Sequence, residues 1–291
     1  VLGEEHPSYA YSLNNLGNLY SDMGDYKAAE PYLKQALEIR KKVLGVEHPE
    51  YAVSSENLGI LYWYMGAYKG AEFYYKQALE IRKKALGEEN SVYAGSLNNL
   101  GVLYLGMGDY KAAEYYYKRA LEIRKQALGE GHLDYAVNLN NLGVFYRRMG
   151  DYKVAEANFQ KALEIKKKAL GEEHLDYIFT EVSFAYLLSK TNRERESFQI
   201  LTQNFSKIAK QTADNFEWLN DNQKESYWKK ESLFYEDFSQ YVSEVVQKVP
   251  EAAGLNFNLS LLAKSKLLEV KILSNDQLSQ EEDKSSLENL E

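Results

Sequence analysis

The sequence predicts an all-α fold, a superhelical solenoid of helical hairpins followed by a helical connector, and three observations predict it. The dipeptide Leu-Gly recurs at Leu2-Gly3, Leu44-Gly45, Leu86-Gly87, Leu128-Gly129 and Leu170-Gly171, always 42 positions apart. Within each interval apolar residues are spaced by three and four (Leu97, Leu100, Tyr104, then Ala113, Tyr117, Ala120, Leu121), the period of a helix face. Each interval is split by a break in which Gly24, Gly66, Gly108 and Gly150, and then Tyr26, Tyr68, Tyr110 and Tyr152, stand in register. Other arrays share a period near 42. Strand alternation and the Trp-Asp signature of a propeller blade are missing, so each repeat is a pair of helices.

Residues 1–171 carry four such repeats. The first helix begins after the inter-repeat loop, where Pro7 and Pro49 sit in a first turn that needs no N–H. It carries Gly17, Gly59, Gly101 or Gly143. Glycine costs about 1 kcal/mol against alanine in a helix, so it must admit a close neighbour, expected to be the alanine pair of the second helix (Ala29/Ala36 and their counterparts). The second helix ends in cations: Arg40-Lys41-Lys42, Arg82-Lys83-Lys84, Arg124-Lys125 and Lys166-Lys167-Lys168. These oppose the helix dipole and are expected on a solvated face, paired with Glu4-Glu5, Glu88-Glu89 and Glu172-Glu173; an anion-binding strip is the alternative.

Residues 172–213 read as a degenerate fifth repeat or cap, with Tyr177 aligned to Tyr135, Ala185 in the place of Gly143, and Asn192-Arg193-Glu194 replacing the turn. Residues 214–274 read as the connector. There Asn220-Asp221 can cap a helix to about residue 248, with Phe234, Phe238, Tyr241 and Val245 on one face and Pro250 at its end. A second helix follows with Leu259, Ala263, Leu267 and Val270. Residues 275–291 are polar enough for a linker or frayed helix. Opening on Val1 and ending in that polar stretch, the sequence reads as a piece of a longer protein.

Composition excludes several function classes. With 35 Lys+Arg against 43 Asp+Glu, the net charge is −8 and the pI about 5.3, which argues against general nucleic-acid binding. No apolar run approaches the ~18 residues of a membrane span, so a soluble, cytoplasmic protein without membrane contact is expected. Cysteine is absent, which removes disulfides, thiolate metal sites and a cysteine nucleophile from this chain. There is no Gly-rich phosphate loop, H-E-x-x-H or nucleophile elbow. His6, His48, His132 and His174 share one loop position, with Asn90 in the third repeat. A full repeat apart, they suit helix capping better than catalysis or metal binding. No enzymatic activity, cofactor or metal is expected of this chain.

Asn15-Leu16-Gly17-x-x-Tyr20 followed by Ala29-x-x-x-Leu33-x-x-Ala36 resembles the tetratricopeptide repeat, and later copies keep it as Gly59/Tyr62/Ala71/Tyr75/Ala78, Gly101/Tyr104/Ala113/Tyr117/Ala120 and Gly143/Tyr146/Ala155/Phe159/Ala162. The 42-residue unit, longer than the usual ~34, is similar to the kinesin-light-chain subtype. Gln223, Tyr227, Trp228 and Tyr235, then Lys264-Ser265-Lys266-Leu267-Leu268, resemble the connector of bacterial TPR-CHAT proteins. That resemblance implies a caspase-like CHAT domain beyond Glu291, its Cys/His dyad outside this chain, and an intramolecular contact with it.

The functional expectation rests on a ladder of asparagines. Asn15, Asn57, Asn99 and Asn141 each precede the Leu-Gly of the first helix and follow Asn14, Glu56, Asn98 and Asn140. Their helix face also holds Tyr11, Val53, Gly95 and Val137; Asn18, Ile60, Val102 and Val144; and Asp22, Tyr64, Gly106 and Arg148. In the concave groove implied by the resemblance, amides can pair with the backbone of a bound peptide irrespective of its sequence. The alternative is that they satisfy neighbouring helices. Tyr64, beside Trp63, marks an aromatic subsite, and Arg148, beside Arg147, a subsite for a carboxylate; both are alternatively plain surface side chains. The expected function is protein–protein interaction through a peptide or protein ligand. A self-associating scaffold, using Phe73-Tyr74-Tyr75 and Tyr115-Tyr116-Tyr117, or a free-standing cargo adaptor is the alternative.

Overall fold

A computed structural model describes residues 6–220, with Gln223, Lys224, Tyr227 and Val249 beyond them. Among these residues every regular element is a helix: α1 Pro7–Asp22, α2 Tyr26–Leu44, α3 Pro49–Tyr64, α4 Tyr68–Leu86, α5 Ser91–Met107, α6 Tyr110–Leu128, α7 Leu133–Met149, α8 Tyr152–Leu170, α9 Leu175–Ser189 and α10 Glu194–Glu217. Residues through Asn192, apart from the turn Asp22–Asp25, make one compact unit. Helix α10 belongs to a second unit and runs unbroken through residue 213. The expected helices over 220–248 and 259–270, and the tail 275–291, lie outside the described residues.

The loop residues cap the first helices. Nδ1 of His6, His48, His132 and His174 accepts from the backbone N–H two residues on at 3.1–3.2 Å, and Asn90 Oδ1 does the same at 2.8 Å. The hairpin break is a left-handed residue: Gly108 has φ 79°, and after α9 Asn192 takes φ 59°, which asparagine tolerates better than most side chains.

The helical glycines pack against a different partner from the one expected. A Cβ on Gly59, Gly101 or Gly143 would fall 2.5, 2.6 or 2.8 Å from the ring of Tyr75, Tyr117 or Phe159, and one on Gly17 2.6 Å from Leu33. The large residue midway between the two alanines enters the glycine notch, since one helical turn beyond the first alanine it shares that alanine's face. The alanines are fully buried, and beside Gly17 the Ala29 carbonyl lies 3.3 Å from the added Cβ. Successive hairpins are joined by shared clusters of buried residues, in one of which α5 (Leu97, Leu100, Leu103) packs between α4 (Ala71, Tyr75) and α6 (Ala120, Ile123). First helices α5 and α7, and α7 and α9, also touch one another, whereas no comparable contact links α4 with α6 or α6 with α8. The array therefore bends with its first helices inward.

On the flank, tyrosines of the two helices stack within each of the first three hairpins (Tyr20–Tyr32, Tyr62–Tyr74, Tyr104–Tyr116, centroids 5.4–5.6 Å). The Tyr62, Tyr104 and Tyr146 hydroxyls donate back to Glu30, Glu72 and Glu114 of the preceding repeat at 2.6, 2.7 and 3.0 Å. Lys34, Lys76 and Lys118 pair with the same carboxylates at 2.6–2.7 Å. The lysine hydrogen bond, more than that of the tyrosine, holds each carboxylate below the ordinary 4.5. Since folded values lie below unfolded ones, this stabilisation is complete above about pH 5 and is lost as pH falls through the lowered values. The melting temperature should fall as the pH drops below about 5, and fall less when Tyr62, Tyr104 and Tyr146 are all replaced by Phe. Equal falls in both proteins would contradict the assignment.

Candidate functional site

The cation opening each terminal run is not solvated, contrary to expectation. Arg40, Arg82, Arg124 and Lys166 are only 2, 5, 8 and 6% exposed. Their long side chains cross to the next repeat and donate to the side chain fourteen residues on: Ser54 at 2.7 Å, Ser96 at 2.6 Å, Asn138 at 2.6 Å and Thr180 at 2.9 Å. Arg40, Arg124 and Lys166 also reach the carbonyl ten residues on, at Glu50, Asp134 and Asp176. The lysines that follow stay exposed and form the expected local ion pairs Lys83–Glu88 and Lys167–Glu172, with Lys125–Glu130 in addition; Glu4-Glu5 lie outside the described residues.

The three buried arginines are neutralised differently. Arg40 pairs with Glu50 at 2.9 Å. Arg82 faces Val92 at the equivalent place and instead takes Glu56 in a two-pronged pair at 2.5 and 2.7 Å. Arg124 faces Asp134, one methylene shorter than Glu50, and no carboxylate among the described residues lies within 4.0 Å of it.

This polar layer captures part of the asparagine ladder. Asn99 Nδ2 donates to Glu56 at 3.0 Å, and Asn141 Nδ2 and Asn138 Nδ2 both donate to Asn98 Oδ1 at 2.9 Å. Asn140 Nδ2 reaches Asn141 Oδ1 at 3.4 Å, while its own Oδ1 is buried without a partner. Asn15 is exposed, and half-buried Asn57 forms no hydrogen bond with the described residues. The apolar rungs Ile60, Val102 and Val144 are partly buried against the core, so the stripe is half packing face.

Tyr64 stacks on Tyr26 at 5.8 Å and meets Trp63 edge-on at 5.1 Å. The Trp63 indole N–H is buried without a partner, 3.6 Å from where a Cβ on Gly106 would lie. Arg148 is exposed, whereas Arg147 lies over the Tyr186 ring at 5.7 Å with its Nε buried and unpaired. Between α3, α5 and α7 opens a pocket of about 330 Å³, lined by Glu56, Arg82, Gly95, Asn98, Asn99, Arg124 and Val137 among others. It brings Asn98 and Asn99 together with Gly95 and Val137 of the predicted face; Asn15, Asn57, Asn140, Asn141, Tyr64 and Arg148 lie outside its lining.

A tetratricopeptide-repeat family model matches residues 8–84, 92–168 and 134–203. The chain belongs to the tetratricopeptide-repeat (TPR) family. Similar TPR structures include a Podosopora anserina putative kinesin light chain with nearly identical TPR-like repeats (24% identity, 71% of this chain and 98% of that one, TM-score 0.55) and BtubC (BKLC) from P. vanneervenii (23% identity, 70% and 82%, TM-score 0.59). The apo form of RapI covers more of this chain (20% identity, 90% and 99%, TM-score 0.59). At these identities the likeness is one of fold. No curated protein matches the sequence. TPR arrays are typically protein–protein interaction modules and generally non-catalytic. Among the described residues no His, Cys, Asp or Glu group could hold a metal ion, and no helix is long and apolar enough to cross a membrane.

Proposed function

We propose that the inner face of this TPR array binds an extended peptide or protein segment along α3, α5 and α7. The pocket carries the proposal: it opens on the face that the asparagine ladder marks. Asn99 commits its N–H₂ to Glu56 but keeps Oδ1 as an acceptor for a peptide N–H, and Asn57 keeps both groups. A peptide selected from a random library against the chain, then titrated by calorimetry, tests the proposal. Asn57→Ala and Asn99→Ala should each weaken binding about two- to tenfold, the size of one hydrogen bond, with Asn57→Ala leaving the melting temperature unchanged. Unchanged affinity in both variants would remove the ladder from the binding surface.

Phe73 and Tyr115, 60 and 64% exposed on the second helices, favour a second possibility, self-association through the outer face. Light scattering across the same concentrations separates the two, since a monomer throughout removes it. That the array restrains a caspase-like CHAT domain is a proposal resting on the sequence motif within 223–268. A coding sequence that stops at Glu291 would remove it.

A further inference from the structure

We infer that the pocket between α3, α5 and α7 takes the carboxylate of a peptide Asp or Glu side chain, with Arg124 as its counter-ion. The inference deepens the proposed peptide site and rests on it. Arg124 is a buried arginine without the carboxylate that Arg40 and Arg82 each have; Lys166, with Asp176 at the same offset, lacks one too, but its neighbour at the place of Gly95 is Val137. Arg124 Nη1 is used by Asn138 and the Asp134 carbonyl, and Nε is buried without a partner. Nη2 forms no bond with the described residues and lies 3.5 Å from where a Cβ on Gly95 would stand. Tyr11, Val53 and Val137 occupy that position in the other repeats, so Gly95 leaves Nη2 uncovered where a side chain would close over it.

Arg82 shows what is missing. Its second prong goes to a carboxylate supplied by position 56, and in the next repeat that position is Asn98. A ligand carboxylate entering over Gly95 can accept from Arg124 Nη2, as Glu56 accepts from Nη2 of Arg82. Asn99 and Asn98 border it, and Val92 and Val137 flank its methylenes. The other charges lining the pocket are Arg82, held by Glu56, then Glu56 itself, also bonded by Asn99, and half-exposed Asp134. The two carboxylates oppose the double charge of a phosphate more than the single charge of a carboxylate. Burial draws Arg124 below its ordinary value, with Asp134 and Glu56 opposing, as burial also does at Arg40.

The test uses the full chain, labelled for NMR, and three pentapeptides: a blocked glycine peptide with one central glutamate, the same with glutamine, and pentaglycine blocked only at its N-terminus. The glutamate peptide should shift the Gly95 amide and Arg124 Nε–H saturably, and the glutamine peptide should bind about tenfold more weakly or worse. Gly95→Val should abolish the preference by covering Nη2. Asn98→Glu should abolish it while raising the melting temperature, because it returns the missing counter-ion. Equal binding of glutamate and glutamine peptides, or a preference that survives both variants, would overturn the inference. A terminal carboxylate binding more tightly than the glutamate side chain would overturn the choice of source. Library peptides that bind through Asn57 and Asn99 but ignore Gly95→Val would sink this inference and leave the peptide site standing. A glutamate preference with no library binder would do the reverse.

Discussion

Replacing Gly101 with Ala is expected to destabilise the array by about 1–3 kcal/mol, although alanine favours an exposed helix by about 1 kcal/mol. The added carbon would fall 2.6 Å from the Tyr117 ring, which is among the largest fully buried side chains and cannot retreat without moving Leu142 and Phe145 beside it. Tyr117→Ala alone should cost about 3–5 kcal/mol through the cavity it leaves. Combining the two should reverse the sign of the glycine change: with the ring gone, Gly101→Ala recovers about 1 kcal/mol of helix propensity and fills part of the cavity. Denaturant unfolding of the four proteins at constant m-value measures the cycle. A Gly101→Ala effect that is the same with and without Tyr117 would show that the notch is not what the glycine serves.

Glu56→Ala should be the more damaging of the two changes at the ion pair, at about 3–5 kcal/mol. It strands Arg82, whose side chain is 6% exposed against 17% for Glu56, and it takes away the acceptor of Asn99. Arg82→Met leaves a carboxylate nearer to solvent and still bonded by Asn99, and should cost less. The double change Glu56→Leu with Arg82→Met should recover most of the loss, since two apolar side chains need no counter-ion. Thermal unfolding of the three variants checks the order. A double variant less stable than Glu56→Ala would mean that the pair stabilises by more than mutual neutralisation.

The hairpins were legible because their signals are local. A cap, a left-handed turn residue and a 3–4 spacing each act within a few residues, and His132, Gly108 and Leu97 stand where they were expected. What escaped depends on reach. Arg40-Lys41-Lys42 reads as one solvated run, yet Arg40 turns inward because its acceptor, Ser54, lies across a loop in the next helix. The fixed offset of fourteen, Arg40 to Ser54, Arg82 to Ser96, Arg124 to Asn138 and Lys166 to Thr180, was a signal that could have found it. The glycine partner was misassigned for a related reason: the alanine pair repeats strictly, while the residue that fills the notch changes from Leu33 to Tyr75, Tyr117 and Phe159. The asparagine ladder was found, but how its donors are divided between neighbour and ligand depends on distances across repeats. The Trp63 indole N–H facing Gly106 carried no sequence signal beyond the departure of Gly106 from its neighbours.

The cation that ties each repeat to the next also bears on how such a gene changes length. Both ends of the tie recur with the repeat itself, so excising residues 45–86 would bring Arg40 opposite Ser96, the partner Arg82 has now. Unequal crossing-over can thus add or remove whole hairpins without designing a new joint. What such an event discards is the individuality of one unit, such as Glu56 or Gly95, and with it a feature of the surface rather than the continuity of the array.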